Sequence, residues 1–295
     1  MTDSVRPRKA NVAPTRSTAR RWSAPRLVAR LGLLALVGLS LAGCNAAVWA
    51  RGGWPAPVTV QGKRILKLWQ GGLLAALLVG AFVLLLILFA SFAYRKRSDE
   101  LPRQVRYNLP IEIVYTVVPM VIVSILFYFT VIDENFEDNL SANPDVTIHV
   151  VGFQWDWQFN YEGQGLQITG RPGQDPTLTI PVGKTIQFVE TSPDVVHSFW
   201  VIPFLFKRDV IPGRENRFEV TVTQTGWFQG KCTELCGVDH ALMRFEVHAV
   251  TWPQYQTFLQ QTKALAASGT NPMYTLVSSS SSSATGTGSG YGGAQ

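Results

Sequence analysis

Residues 231–243 read KCTELCGVDHALM, a stretch that places two thiols, an imidazole and a thioether within twelve residues. It lies between two segments that are predicted as strands, so these side chains are expected on one loop of a β domain. Soft sulfur and borderline nitrogen donors together favour copper or zinc over magnesium or calcium. A second imidazole is offered by His197, one of only four histidines in the chain, at the start of another predicted strand. The candidate ligands are therefore His197, Cys232, Cys236, His240 and Met243.

Two other interpretations of the paired cysteines compete with copper. A disulfide is the usual state of two cysteines in an oxidising compartment, but it would use neither His240 nor Met243, and closing so short a loop constrains little of the unfolded chain. Structural zinc needs no thioether and usually takes cysteines two residues apart. A mononuclear blue copper site uses one cysteine, whereas here there are two, which can bridge two copper ions. The pattern favours a dinuclear copper site.

Short alternating segments separated by Gly and Pro extend on both sides of this loop, over residues 144–250. Residues 153–161 alternate aromatic and polar side chains as a half-buried strand requires. Residues 185–190, 217–222 and 242–250 are also predicted as strands, with turns at 181–183 and 212–213. The fold class is therefore all-β, a sandwich or Greek-key barrel over residues 144–266 that closes with a helix at 254–267. The Ser/Gly-rich segment 267–295 is predicted to be a disordered tail.

Two apolar stretches before this domain meet the length criterion for crossing a membrane. Residues 71–93 contain no charge, and residues 113–132 form a second stretch of similar character. The basic residues between them indicate a cytoplasmic loop, which places the β domain outside the cytoplasm. We therefore predict an N-terminal transmembrane helical hairpin at residues 71–133. A buried pair of helices in a soluble protein is the alternative.

The N-terminus has the features of a bacterial secretion signal. Several arginines precede an apolar run at 31–42 that is too short to span a bilayer, which favours a cleaved signal peptide over residues 1–43. The run ends in Leu41-Ala42-Gly43-Cys44, which resembles a lipobox and implies lipidation of Cys44. An uncleaved anchor or a chance cysteine are the alternatives. Residues 44–70 would then be an extracytoplasmic linker.

The charge distribution argues against a nucleic-acid partner. The whole chain carries +6, but residues 1–132 hold 17 Lys/Arg against 4 Asp/Glu, and the remainder holds 9 against 16. The basic excess therefore belongs to the sorting and topology signals. The domain outside the membrane is acidic.

The segments around His197 and 232–243, together with the hairpin, resemble subunit II of the haem-copper cytochrome c oxidases, over roughly residues 68–258. The resemblance implies a cupredoxin-like domain with the dinuclear copper centre CuA, in which Cys232 and Cys236 bridge two copper ions. His197 and His240 would be the imidazole ligands, Met243 a weak ligand, and the backbone carbonyl of Glu234 a further ligand. The Glu234 side chain would also reach a Mg ion shared with subunit I. Without the resemblance, Glu234 is a solvated acid on a loop.

Two further residues match the family outside the metal loop. Trp155, in Gln154-Trp155-Asp156-Trp157, matches the tryptophan that accepts electrons from cytochrome c. Its alternative is a buried core residue, because it shares the parity of the aromatic stripe. Glu112 matches the glutamate at the cytoplasmic entrance of a proton channel, and its alternative is an acid that merely precedes a helix.

The resemblance implies a subunit of a proton-translocating oxidase in the bacterial plasma membrane. It would accept electrons from cytochrome c and pass them to haem in subunit I for reduction of oxygen to water. Its partners would be subunit I, other oxidase subunits and membrane lipid. No Cys-x-x-Cys-His motif is present, so no c-type haem is fused to the chain. The alternatives are the quinol-oxidase type, which has lost the copper ligands, and a copper-storage or chaperone lipoprotein, which has no use for Trp155 or Glu112.

Overall fold

The computed structural model describes residues 28, 31, 32, 46–97 and 104–277. Cys44 and all but three residues of the expected signal peptide lie outside this description, as does the Ser/Gly-rich segment from residue 278 onward. Residues 47–277 are described below, with the short helix α1 (Ala46–Ala50) at their start.

Two long helices, α2 (Val60–Ala93) and α3 (Leu109–Glu137), form the predicted hairpin. Thr59 caps α2 because its hydroxyl accepts the backbone N–H of Gly62 at 2.9 Å. Asn108 precedes α3, and a proline occupies the first turn, where no backbone N–H is needed. Both helices are long and apolar enough to cross a membrane, and no residue of either apolar stretch is buried within the chain. The prediction of two membrane-spanning helices is confirmed.

The predicted bounds of the hairpin and of the preceding linker are wrong. Helix α2 begins at Val60, so the last eleven residues of the expected linker 44–70 are helical, and α3 continues to Glu137 instead of ending at 133. The hydropathy criterion finds only the apolar part of each helix and misses the polar turns that extend outside the membrane. In those turns Arg64 pairs with Asp133 at 2.8 Å and lies 4.0 Å from the centre of the Phe136 ring, which joins the two helices.

The β domain is a sandwich of two sheets, as predicted. Its strands are β1 (Val146–Phe153), β2 (Asp156–Tyr161), β3 (Leu166–Thr169), β4 (Thr177–Pro181), β5 (Thr185–Thr191), β6 (His197–Val201), β7 (Phe206–Val210), β8 (Asn216–Thr221), β9 (Gly226–Cys232), β10 (Arg244–Val250) and β11 (Tyr274–Leu276). One sheet has the order β11-β3-β2-β1-β5-β8, and the other has the order β4-β10-β9-β6-β7. The pairs β1/β5 and β4/β10 are parallel and the other pairs are antiparallel. This arrangement supports the predicted all-β class.

Aromatic side chains from both sheets fill the space between them. Phe199 of β6 stacks on Phe245 of β10 with ring centres 4.7 Å apart, and Trp157 packs edge-on against both rings. All three side chains are at most 2% exposed. Because β6 begins and β9 ends beside this cluster, the core fixes the two strands that carry candidate ligands.

The stripe at 153–161, predicted as one strand, is two strands joined by a tight turn. Phe153 of β1 pairs with Asp156 of β2, and only Gln154 and Trp155 lie between them. The alternation of side chains continued through the turn, and periodicity alone therefore did not detect it. Trp157 and Phe159 are buried as expected, whereas Trp155 sits in the turn and is half-buried.

The predicted boundary of the disordered tail is also wrong. Helix α4 (Trp252–Ser268) ends at Gly269, whose φ of +64° lies in the left-handed region that favours glycine. The chain then turns and adds β11 to β3, where Tyr274 pairs with Ile168. Residues 267–277 therefore complete the sandwich, because a short apolar strand here covers the open edge of β3.

Candidate metal centre

The candidate ligands come from two neighbouring strands and from the loop that follows one of them. His197 is the first residue of β6 and Cys232 the last residue of β9, and these strands pair so that Phe199 lies opposite Cys232. Cys236 follows on the loop. His240 opens a single 3-10 turn, His240–Leu242, and Met243 immediately precedes β10. Segments that are 35 residues apart in sequence therefore meet at one end of the sandwich.

Each sulfur of the cysteine pair faces its own imidazole. The two Sγ atoms are 3.9 Å apart. Cys232 Sγ lies 3.9 Å from His197 Nδ1, and Cys236 Sγ lies 3.5 Å from His240 Nδ1. Met243 Sδ lies 3.8 Å from Cys236 Sγ. The five predicted side chains therefore form one cluster with two similar ends.

The chemistry of the cluster fits a soft metal and does not fit a structural disulfide. Both cysteines are free, and their sulfurs are almost twice as far apart as the bonded distance of about 2.05 Å. His197 is fully buried and the two cysteines are 4% exposed, so these three donors are shielded from water, whereas His240 is half-buried. Ligand atoms of His197, Cys232 and Cys236 all lie within 4.8 Å of one another, which is close enough for a shared ion. Thiolate, imidazole and thioether donors together are typical of copper.

Asp194 orients His197. Its Oδ1 lies 2.9 Å from His197 Nε2, so Nε2 carries the proton and the lone pair of Nδ1 faces Cys232. Burial acts to lower the pKa of His197, but hydrogen bonds with Cys232 and Asp194 outweigh it and raise the pKa. Burial acts to raise the pKa of Asp194, but hydrogen bonds from His197 and from backbone N–H groups lower it. The pair is therefore prepared to hold the imidazole in a metal-binding orientation.

The two thiols are unequal in the absence of a metal. Burial acts to raise the pKa of Cys232, but hydrogen bonds with His197 and with backbone groups outweigh it and lower the pKa. Burial raises the pKa of Cys236, and the negative charge of Cys232 raises it further. The first proton therefore leaves Cys232, and the second is retained until a cation offsets the repulsion between the two thiolates.

Glu234 presents its backbone to the cluster. Its carbonyl oxygen lies 3.3 Å from Cys232 Sγ, which is near enough to complete a ligand set. Its side chain is half-buried and has no hydrogen-bond or ion-pair partner among the residues that the structure describes. The Mg ion that this carboxylate is expected to share with subunit I stays a prediction.

Trp155 touches the metal loop directly. Its indole Nε1 donates to the carbonyl oxygen of Cys236 at 3.2 Å, and its ring is only half-buried. The alternative interpretation of Trp155 was a buried core residue. That description fits Trp157, which is 0% exposed, better than it fits Trp155. The electron-accepting role of Trp155 stays a prediction.

Glu112 lies in the first turn of α3, far along the chain from the cluster. Its Oε1 accepts the backbone N–H of Asn108 at 3.0 Å, while Asn108 Oδ1 accepts the N–H of Ile111 at 3.5 Å. This reciprocal arrangement caps the helix. Glu112 therefore stabilises the start of α3. Its role at a proton channel stays a prediction.

Sequence reasoning missed two residues next to the cluster, Asp194 and Gln154. Asp194 stands three residues before His197, and a carboxylate so close to a candidate histidine ligand is a signal that could have been used. Gln154 gave no such signal, because its contact with the metal loop is made across 82 residues of sequence.

The chain is similar to known subunits of cytochrome c oxidase. Residues 172–250 match the family model for the periplasmic domain of cytochrome c oxidase subunit II, and residues 48–131 match the model for its transmembrane domain. A probable cytochrome c oxidase subunit 2 from Streptomyces avermitilis is 46% identical, and the match covers 79% of this chain and 85% of the relative. The cytochrome c oxidase subunit 2 of Mycobacterium bovis is 32% identical and covers 87% of this chain and 85% of the relative. The crystal structure of the periplasmic domain of subunit II from Bradyrhizobium japonicum is 31% identical, with a TM-score of 0.40, over 42% of this chain and 98% of that one.

Proposed function

The chain belongs to the cytochrome c oxidase subunit II family, and from that premise we propose that it accepts electrons from cytochrome c at a dinuclear copper centre. The electrons then pass to haem in subunit I, where oxygen is reduced to water. A protein of this family is part of the oxidase, and two membrane helices followed by the domain that matches the periplasmic model make it a membrane protein with an extracytoplasmic domain.

The observation that carries the proposal is the pair of unoxidised thiols, 3.9 Å apart, each facing one imidazole Nδ1. A storage protein needs sulfur donors but has no need for two similar ends, each with one thiol and one imidazole. Two copper ions held by Cys232, Cys236, His197 and His240 would supply one-electron transfer with little change in geometry. The buried donors exclude water, and Asp194 keeps His197 in the tautomer that can bind.

Electron acceptance is assigned to Trp155 and the surface around it. The indole is joined by one hydrogen bond to the backbone of a bridging cysteine, which supplies a short route between the surface and Cys236 Sγ. Next to Cys236 the loop exposes apolar side chains, with Leu235 80% and Val238 86% exposed. Exposed apolar patches mark interaction sites. The excess of acidic groups after residue 132 would attract a basic cytochrome c.

The remaining parts of the proposal concern the two sides of the membrane. Cys44 is proposed to be lipidated after removal of residues 1–43, which anchors the N-terminus outside the cytoplasm. Glu112 is proposed to admit protons on the cytoplasmic side to a proton-translocating oxidase. Glu234 is proposed to share a Mg ion with subunit I. The hairpin is proposed to bind subunit I, other oxidase subunits and lipid of the plasma membrane.

The test is to purify the full chain from its own membrane and to measure copper, haem and the copper spectrum together. We expect two coppers per chain, one unpaired electron shared equally between both nuclei, and haem absorbance that purifies with the chain. A copper count of one, or hyperfine splitting from a single copper, would contradict the dinuclear site. Copper without any haem would favour the copper-storage or chaperone alternative.

A further inference from the structure

The turn between β1 and β2 holds both metal-binding segments at once. The side-chain amide of Gln154 donates to the carbonyl oxygen of Cys236 at 2.7 Å. The backbone N–H of the same residue donates to Asp194 Oδ2 at 2.7 Å. Because Asp194 Oδ1 holds His197, one residue connects the His197 segment to the cysteine loop.

The contact with the cysteine loop is unusually close. The Cys236 carbonyl accepts two hydrogen bonds, one from Gln154 and one from the Trp155 indole at 3.2 Å. The next residue, Gly237, has a φ of +134°, and a Cβ there would lie 2.7 Å from the indole nitrogen. Only a glycine lets the loop approach the turn this closely. The two donors and the glycine therefore fix the peptide that carries the Cys236 side chain.

We propose that Gln154 is a positioning residue that sets the reduction potential of the metal centre by holding the Cys236 carbonyl. The positive end of its N–H dipole points at the backbone of a bridging cysteine. Such a dipole stabilises the more electron-rich, reduced state of the centre. Removal of the donor disfavours reduction, and a negative charge in its place disfavours reduction further. This inference rests on the proposed dinuclear site.

The experiment compares the copper-loaded full chain with its Gln154→Ala and Gln154→Glu variants. Gln154→Ala deletes the donor but keeps the backbone N–H that binds Asp194, so the His197 side stays intact. Gln154→Glu keeps the size of the side chain and replaces the donor with a charged acceptor. We expect the equilibrium constant for reduction to fall in Gln154→Ala and to fall further in Gln154→Glu. The hydrogen bond is present in both redox states and only the difference in its strength counts, so the fall in Gln154→Ala is at most about tenfold, the full worth of one hydrogen bond.

A second measurement needs no copper. Hydrogen exchange of backbone amides in residues 232–243 of the metal-free chain should become faster in both variants. The reason is that the loop has lost the hydrogen bond between the Gln154 side chain and the Cys236 carbonyl. Gln158→Ala is the matched control, since the side chain of this half-buried glutamine of the same hairpin bonds, among the residues that the structure describes, to the side chains of Asn160 and Thr169 and not to the cysteine loop. It should change neither measurement.

The outcomes separate this inference from the function on which it rests. If the unaltered chain fails to bind two coppers, the proposed function fails. If the unaltered chain binds two coppers, but both Gln154 variants keep its potential and its loop exchange, only the positioning role is overturned. The positioning role is also overturned if both variants lose copper while hydrogen exchange in residues 232–243 is unchanged. In that case Gln154 would not act by holding the cysteine loop.

Discussion

The β domain and the membrane hairpin place their side chains in opposite ways. In the β domain, large side chains such as Trp157, Phe159 and Phe188 are 0% exposed and belong to one buried core cluster. In the hairpin, the apolar stretches of both helices are not buried at all, with Leu85 64% and Phe127 67% exposed. The β domain therefore packs its large apolar side chains against one another, whereas the hairpin presents an apolar surface of the kind that lies in a membrane.

This contrast predicts where substitutions act through the chain and where they act through a partner. Changes in the β domain should alter copper content, potential or stability in the purified chain. Changes in the hairpin should be nearly silent there and should be seen only in the assembled oxidase. The predictions below test that division, beginning with the largest expected effect.

Cys236→Ser should abolish the dinuclear site. The hydroxyl is a poor ligand for copper, and this sulfur contacts Cys232, His240 and Met243. We expect the copper content to fall from two to at most one per chain, with loss of electron transfer from cytochrome c. Metal analysis and the copper spectrum measure the effect. Leu235→Ser, one residue away and 80% exposed, is the control and should keep both coppers.

The loop at residues 232–243 shows how much of the candidate site could be predicted from the sequence. The structure brings the five candidate ligand side chains into one cluster, and that cluster was predictable because the donor types and their spacing carry the chemistry. The contact of Gln154 with the cysteine loop was not predictable, because it is made across 82 residues of sequence. Asp194 stands three residues before His197 and could have been recognised from that spacing. The turn at Gln154 was not predicted either, because the alternation of aromatic and polar residues continues through it. In the hairpin, composition found the apolar spans but not the polar turns around Arg64, which depend on a specific pairing with Asp133.

Trp155→Gln should slow electron transfer from cytochrome c by at least about tenfold, equivalent to about 1.4 kcal/mol of barrier. Copper content and thermal stability should change little, because the ring is only half-buried. Trp155→Phe keeps an aromatic ring but loses the N–H donor to Cys236, so it separates the π system from the hydrogen bond. Stopped-flow oxidation of reduced cytochrome c by the assembled oxidase measures both variants.

The control for Trp155 is its neighbour in the core. Trp157→Gln deletes a ring that is 0% exposed and should cost about 3 to 5 kcal/mol of stability. If Trp155→Gln instead lowered the melting temperature as much as Trp157→Gln does, Trp155 would be a packing residue, and electrons would be accepted elsewhere.

Glu190→Gln should stabilise the β domain at neutral pH. Within the part of the chain that the structure describes, both carboxylate oxygens of Glu190 are buried without a hydrogen-bond partner. Burial raises the pKa of Glu190 well above its usual value, although the charge of Arg208 opposes the rise and that of Asp209 adds to it. Glutamine has the same size and no charge to desolvate.

The pH dependence follows from that shift. Below the unfolded pKa of about 4.3, Glu190 is protonated in both states and costs nothing. As the pH rises above that value, only the unfolded state ionises freely, so stability is lost until the folded pKa is reached. At pH 7 the gain from Glu190→Gln should be about 1 to 3 kcal/mol, and it should vanish near pH 4. Thermal unfolding of the full chain in detergent measures it, and Glu219→Gln is the control, because the Glu219 carboxylate is hydrogen-bonded by Ser141 and Gln187 and should gain nothing.

Glu112→Gln has the smallest expected effect and tests the hairpin side of the comparison. The Glu112 carboxylate caps α3 by accepting the N–H of Asn108, and glutamine keeps that acceptor while it cannot carry a proton. Glu112→Ala loses both the cap, at a cost of about 0.5 to 2 kcal/mol, and the proton. If Glu112 admits protons, both variants should slow oxygen reduction by the assembled oxidase severalfold, with copper content unchanged. If Glu112 only caps the helix, Glu112→Gln should turn over as the unaltered protein does while Glu112→Ala alone is impaired, and the proton-channel role would then be wrong.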